Sequence, residues 1–389
     1  MSQQALVVPD NKSTTFTLIE KPIPVPGTNE VLIKVEGVGL NPFEWKAPYV
    51  PPMFNCFEFP AYLGTDGAGI IEDVGSDVTK FKKGDRVLFQ GWFASDYSTY
   101  QQYALAPDSF VAKVSVDLVA KRPATLLKFD SKLPSSISTL EASSIPLALI
   151  TAANGFCLPN PAPASCTEIG KKFDCPLFLN GRAGAGMKPF WEDDAQGLQT
   201  GKLILILGGS STVGQLAIQI SKHLGYSAII TTSSLTHAEH LKSLGATHVL
   251  DRNTPVNELV LTIRDIIGQD KLHAFELAWD AVGAITQEYI DLLAPGGGFI
   301  LANPQALKPE FSFKDGRRAI MPNGGAHAFK EQGMALFEKL GGLLEAGVIK
   351  PVRVEKISGG LKGILDGHEK MRKNQVSGVK LVVDPTETA

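Results

Sequence analysis

The chain has 389 residues, 44% of them hydrophobic and 20% charged, with 37 Lys and Arg against 40 Asp and Glu for a formal net charge of −3. That balance supplies no polybasic signal for nucleic acid or an anionic membrane surface, and no uninterrupted apolar run approaches the roughly 18 residues of a membrane span. The start, MSQQALVVPDNKS, lacks a basic stretch followed by an apolar core; no nucleic-acid or membrane partner is therefore expected, and a cytoplasmic setting is. Four cysteines are too few for a disulfide-held fold of this length, and the length itself suggests two domains.

In chain order, residues 1–140 read as mainly β. Short strand-like runs at 16–20, 30–38, 68–74 and 85–89 are separated by turn clusters such as PIPVPG (22–27) and KKGD (82–85). The stretch 140–156 changes to helical character. From 203 to about 302 strands and helices alternate, as a parallel α/β sheet requires, with strands predicted at 203–207, 227–232, 247–251, 275–279 and 298–302 and a helix over 236–244. A helix around 329–346 and strands at 352–357 and 380–383 close the chain. The expected domains are residues 1–140, residues 141–320 and a return over 321–389 to the first.

The stretch Leu203 to Gly225, LILILGGSSTVGQLAIQISKHLG, places a buried strand, a glycine turn and an amphipathic helix in succession. Five consecutive aliphatic residues suit a parallel strand covered on both faces, and Val213, Leu216, Ala217, Ile220 and Leu224 return at helical spacing. A helix start of this kind offers unpaired N–H groups and a positive dipole end to a pyrophosphate. Gly208, Gly209, Ser210, Ser211, Thr212, Val213 and Gly214 are therefore candidate cofactor contacts. The glycine spacing alone is a weak signal; the strand-turn-helix-strand order makes it a nucleotide site rather than a bare structural turn.

Seven motifs in order, VGLNPFEWK (38–46), LGTDGAGIIEDVG (63–75), KKGDRV (82–87), LILGGSSTVGQLAIQ (205–219), SLGATHVLD (243–251), AWDAVG (278–283) and APGGGF (294–299), resemble the medium-chain dehydrogenase/reductases. The resemblance is to their zinc-free quinone reductase and enoyl reductase branch, and most to fungal stand-alone enoyl reductases and toxin-cluster reductases. It implies a GroES-like, β-rich catalytic domain built from both chain ends, with a Rossmann doubly wound parallel-sheet cofactor domain between them. It further implies that Asn41 and Lys46 lie beneath the nicotinamide, that Thr151 meets its carboxamide, that Ala281, Val282 and Gly283 approach the nicotinamide side, and that Ala302 is a further cofactor contact.

Zinc-dependent relatives need a thiolate, an imidazole and a second thiolate around one ion. Asn41 stands where their first cysteine would be, Thr65-Asp66 replaces their His-Glu, and no cysteine lies between Leu88 and Pro107. Cys157, Cys166 and Cys175 fall in one loop at equal spacing, which matches no zinc pattern and has no histidine beside it, so no metal is expected. Without a Lewis acid, hydride addition to an electron-poor C=C or a quinone is better supported than alcohol oxidation. An NAD site usually ends its second strand with an acid, whereas Thr231-Thr232-Ser233-Ser234 is neutral. Ser233, Ser234, His237, Asp251 and Arg252 are accordingly expected near the adenosine ribose, and NADPH is expected as cofactor.

Residues 157–200, rich in Pro, Gly and Ala, make a long link that reads either as a lid carrying Phe190 and Trp191 to substrate or as a mobile surface excursion. The expected activity is an NADPH-dependent, zinc-independent reduction of an activated alkene, an enoyl thioester or enone, free or tethered to a carrier. A quinone reductase is the alternative within the class, and a non-catalytic NADPH-binding protein the alternative outside it. Monomer and homodimer both remain open.

Overall fold

The computed structural model describes residues 1–50, 54, 57–114, 137–162, 165, 182–268 and 274–388. The chain divides into two units, one containing Met1–Leu147 and Gly325–Ala389, the other Ala148–Pro163 and Leu179–Gly324.

The first unit begins with the antiparallel pair β1 (Ser2–Val7) and β2 (Thr17–Pro22). Strand β3 (Glu30–Gly39), buried at all but Glu30, Lys34 and Glu36, leads through Asn41 into the single helical turn α1 (Pro42–Lys46). Then come β4 (Asp66–Val74), β5 (Arg86–Gln90), β6 (Tyr103–Pro107), β7 (Val111–Lys113) and the short helix α2 (Thr139–Ala142).

Helix α3 (Pro146–Cys157) follows. The predicted helix over 140–156 is thus two helices, because Pro146 has no N–H to continue α2 and the Ser143 and Ser144 hydroxyls bond back to the Leu140 and Glu141 carbonyls at 2.8 and 2.6 Å. Among the described residues one stretch, Thr139–Cys157, is long and apolar enough to cross a membrane, and 78% of its apolar window is buried within the protein.

The second unit runs β8 (Leu203–Leu207), α4 (Thr212–His223), β9 (Ala228–Ser233), α5 (Ala238–Leu244), β10 (His248–Asp251), α6 (Val256–Ile267), β11 (Phe275–Asp280), α7 (Gln287–Ile290), β12 (Leu293–Leu301) and β13 (Arg318–Ile320). Its described strands form a parallel sheet in the order β10-β9-β8-β11-β12-β13. This is the Rossmann arrangement, with β8 at its centre and its successors departing to opposite sides. Leu205, Leu207, Ile230, Leu259, Ile263, Phe275, Ile290 and Phe299 fill one core, each 4% exposed or less. At about 25 cal/mol per Å² of apolar surface removed from water, such residues supply the main drive for this layer.

The chain then returns with α8 (Lys330–Glu345), β14 (Val354–Ile357), α9 (Gly360–Arg372) and β15 (Lys380–Val383). In the first unit's second sheet the strands run β14-β15-β3-β4-β5-β7, with β6 also pairing β3. This is the GroES-like domain, and β15 joins it antiparallel to β3 through Val382 and Val383. Strands β1, β6, β7 and β13 and helices α1, α6, α7 and α9 were not individually legible in the sequence.

Candidate functional site

The turn from β8 to α4 is built for close approach. Gly208 has φ +78°, and a Cβ there would lie 2.4 Å from Val282 Cγ1. At Gly214 a Cβ would lie 2.3 Å from the Gly208 carbonyl oxygen, so the first turn of α4 packs directly on the loop. Ser211 is the N-cap: its Oγ accepts the Gly214 N–H at 3.0 Å, and its carbonyl accepts that of Gln215. The N–H groups of Thr212 and Val213 have no acceptor among the described residues. Two free donors at a helix start beside a crowded glycine turn fit a pyrophosphate.

The same edge of the sheet carries the adenosine-side candidates. Ser233, the last residue of β9, is fully buried, and its Oγ is without a partner among the described residues; burial removes it from direct ribose contact. Ser234 is half-buried and shares a 2.9 Å hydrogen bond with Thr236. His237 is half-buried in the 3₁₀ turn Leu235–His237. Asp251 ends β10 opposite Ser233, and its Oδ1 accepts the Asn253 N–H at 3.1 Å. Arg252 is exposed, and its N–H donates to the Ser233 carbonyl at 2.9 Å.

Beyond β11 the loop is shaped by Asp280, which is 1% exposed. Its Oδ1 accepts the N–H groups of Val282, Gly283 and Ala284 at 2.7–3.0 Å, and its Oδ2 accepts that of Ile285 at 2.8 Å. This carboxylate holds Val282 over Gly208 with half its surface exposed and Gly283 at φ +85°. Ala302 follows β12 and is tied by its N–H to the Asp280 carbonyl at 2.9 Å. Sequence reasoning passed over Asp280, although AWDAVG displays an acid just ahead of a glycine turn.

In the first unit Asn41 is 4% exposed at the start of α1, where Pro42 at the first helical position fixes the entry. Its Nδ2 donates to Glu44 Oε1 at 3.1 Å, Asp66 Oδ2 at 3.0 Å and Thr65 Oγ1 at 3.3 Å, and its Oδ1 accepts from Lys380 Nζ. The Lys380 ammonium, 3% exposed as a side chain, also lies 2.7 Å from Asp66 Oδ2. Tyr100 donates its hydroxyl to Glu44 Oε2 at 3.0 Å and lies 2.9 Å from His368 Nε2. Burial, then the Asp66 charge, pushes the Glu44 carboxyl up from 4.5 to about 7 against the pull of Lys380. Burial lowers His368 to about 4 and, with Glu44, raises Tyr100 well above the usual phenol range. Of this cluster the sequence offered Asn41 as a site residue; Glu44, Tyr100, His368 and Lys380 were missed, and the one local hint was an acid three residues after Asn41.

An amide oxygen and a carboxylate gathered on an ammonium, with a hydroxyl beside the amide, are not the thiolate and imidazole set that zinc takes, and the ammonium repels a dication. These residues do not fit a catalytic zinc. Lys46 is exposed on the last residue of α1, with its Nζ 5.5 Å from the centre of the Trp45 ring. Thr151 is half-buried on α3 in the second unit.

The described part of the 157–200 link corrects the sequence reading. Phe190 is fully buried and Trp191 4% exposed, their rings in edge contact at 5.1 Å, so both are core residues rather than a lid surface. Ala185, Gly186 and Met187 donate their N–H groups to the carbonyls of Gly155, Leu158 and Phe156, which ties this segment to the end of α3. Cys157 ends α3, is buried, and has its thiol pushed up to about 12 by burial; Cys166 and Cys175 lie outside the described residues.

Family comparison agrees with this architecture. The alcohol dehydrogenase GroES-like domain profile matches residues 27–116, and the zinc-binding dehydrogenase profile matches residues 212–321. The chain belongs to the medium-chain dehydrogenase/reductase family of oxidoreductases, whose Rossmann domain implies a nicotinamide cofactor. It is 29% identical over 381 residues to the trans-enoyl reductase tndF of Aspergillus flavipes, covering 93% of each chain. To the 2-methylene-furan-3-one reductase of Solanum lycopersicum it is 26% identical, over 97% of this chain and 77% of that one. A solved quinone oxidoreductase from Coxiella burnetii matches 98% of this chain and 99% of its own with a TM-score of 0.65 at 22% identity, a likeness of fold.

Proposed function

We propose that the protein is an NADPH-dependent, zinc-independent reductase acting on a small molecule with an activated C=C, an enoyl thioester or an enone. The observation that carries the cofactor reading is the carboxyl end of β9. It carries the half-buried Ser234 hydroxyl where an NAD site presents a carboxylate, and the exposed Arg252 is bonded to the adjacent Ser233 through its backbone N–H. The Thr212 and Val213 N–H groups would hold the pyrophosphate, Ser234 and Arg252 the 2′-phosphate, and Val282, Gly283 and Ala302 would flank the nicotinamide. NADPH supplies the hydride. The two reductases compared above, one named for an enoyl and one for a furanone substrate, support the C=C acceptor. Asn41 and Lys46 are assigned to the substrate side, Lys46 as the exposed cation available to polarise a carbonyl, and Thr151 to the carboxamide.

The test is NADPH oxidation by metal-free protein against an enoyl thioester, an enone, an aldehyde and a quinone. Turnover confined to the first two supports the proposal, and turnover of the quinone alone replaces it with a quinone reductase. Tight NADPH binding with no oxidation of any acceptor points instead to a carrier-tethered substrate or a non-catalytic NADPH-binding protein. Unchanged rates in both Asn41→Ala and Lys46→Ala remove those two residues from the site.

A further inference from the structure

Beneath the β8–α4 turn lies a polar strut that the candidate contacts do not include. Gln215, the fourth residue of α4, is 1% exposed. Its Nε2 donates to the Ser210 carbonyl at 2.9 Å, and its Oε1 lies 3.0 Å from Nε2 of His240 on α5. Because a carbonyl oxygen only accepts, the amide must turn its NH₂ to Ser210 and its oxygen to His240, which in turn must carry its proton on Nε2.

The consequence is a peptide plane held at both ends. The Ser210 carbonyl is bound by Gln215, and the Ser211 N–H on the other side of the same rigid peptide donates to the Gly208 carbonyl at 3.0 Å. Ser211 is also the N-cap of α4, so fixing this plane fixes the cap, and the cap directs the free N–H groups of Thr212 and Val213. Without the strut the peptide can rotate and present a carbonyl oxygen, which repels a phosphate, where the site needs donors.

We propose that Gln215, braced by His240, is a positioning residue that holds the Ser210–Ser211 peptide so that the turn presents its N–H groups to the cofactor's pyrophosphate. This rests on the reading of that turn as the pyrophosphate site. Since the pyrophosphate is common to NADPH and NADH, the strut acts on both cofactors equally, unlike Ser234 or Arg252 at the 2′-phosphate.

The test is direct binding of NADPH and of NADH, followed by cofactor fluorescence, to the wild type, Gln215→Leu, His240→Ala and His240→Gln, alongside melting temperatures and the split between kcat and KM. Gln215→Leu keeps the size and loses both hydrogen bonds. It is expected to weaken NADPH and NADH by the same factor, about five- to tenfold for roughly 1 kcal/mol of positioning. The loss should appear in Kd and in KM for NADPH far more than in kcat. His240→Ala, which leaves the turn itself untouched, should show a smaller loss in the same direction, and His240→Gln, which can still donate to Gln215, should restore it. Wild-type affinity in both Gln215→Leu and His240→Ala overturns the proposal, as does a loss confined to NADPH. A lowered melting temperature with unchanged Kd shows a packing role and overturns it as well. If the wild type binds neither NADPH nor NADH, the pyrophosphate reading fails first and the proposal falls with it.

Discussion

Glu44 is one of two fully buried acids in the Asn41 cluster, and replacing it by glutamine tests whether that cluster stores an uncompensated charge. Two carboxylates, Glu44 and Asp66, share one ammonium, Lys380, and the cation is bonded to Asp66. Glu44 is therefore the spare anion, and its carboxyl titrates near 7 in the folded protein against 4.5 when exposed. A folded pKa above the unfolded one gives stability that is complete below 4.5 and lost as pH rises through about 7. At about 1.4 kcal/mol per pH unit, the wild type should lose roughly 3 kcal/mol relative to Glu44→Gln over that window. The variant carries a constant penalty of its own, because a single amide oxygen replaces a carboxylate that accepts from the Asn41 N–H and side chain, the Thr65 N–H and hydroxyl, and Tyr100. His368, behind Tyr100, titrates in the opposite sense as pH falls from 6.5 to about 4, and this cancels in the difference between the two proteins. The assay is urea unfolding of both proteins followed by tryptophan fluorescence at intervals from pH 4.5 to 8. A difference that stays flat within 1 kcal/mol across this range would refute the account of Glu44 as the surplus charge.

Two further outcomes follow from the same geometry. Lys380→Met leaves the fully buried Asp66 carboxylate without its cation and should cost about 3–5 kcal/mol at neutral pH by urea denaturation, with Asp66→Asn in the same chain recovering much of it. Full additivity of the two substitutions would show that the pair is not coupled. Gly214→Ala places a Cβ 2.3 Å from the Gly208 carbonyl and 2.8 Å from Gly209 Cα, so the turn must shift. NADPH affinity should fall at least tenfold, about 1.4 kcal/mol, with the far-ultraviolet circular dichroism unchanged; an unaltered Kd would separate this glycine from cofactor binding.

The turn that holds the cofactor reading was legible because its signals are local. Five aliphatic residues make a strand buried on both faces, and four later apolar positions repeat at helical spacing from Leu216 to Leu224, so periodicity alone sets β8, α4 and the glycine turn joining them. The link over 157–200 shows the limit, since composition suggested a surface excursion while Phe190 and Trp191 are packed in the core.

The sequence by itself determined the β-rich ends, the alternating α/β middle, the phosphate-type turn and the neutral end of β9, all of which depend on residues within one or two elements of each other. Only the tertiary structure decided what Asn41 touches. Lys380 reaches it from 339 residues away, and His368 meets Tyr100 across 268. A periodic pattern records which face of an element is apolar, but not which distant polar group completes a buried cluster. That choice is made when β15 pairs with β3 and α9 packs beside them, because buried charges must then find one another or lose their hydration uncompensated.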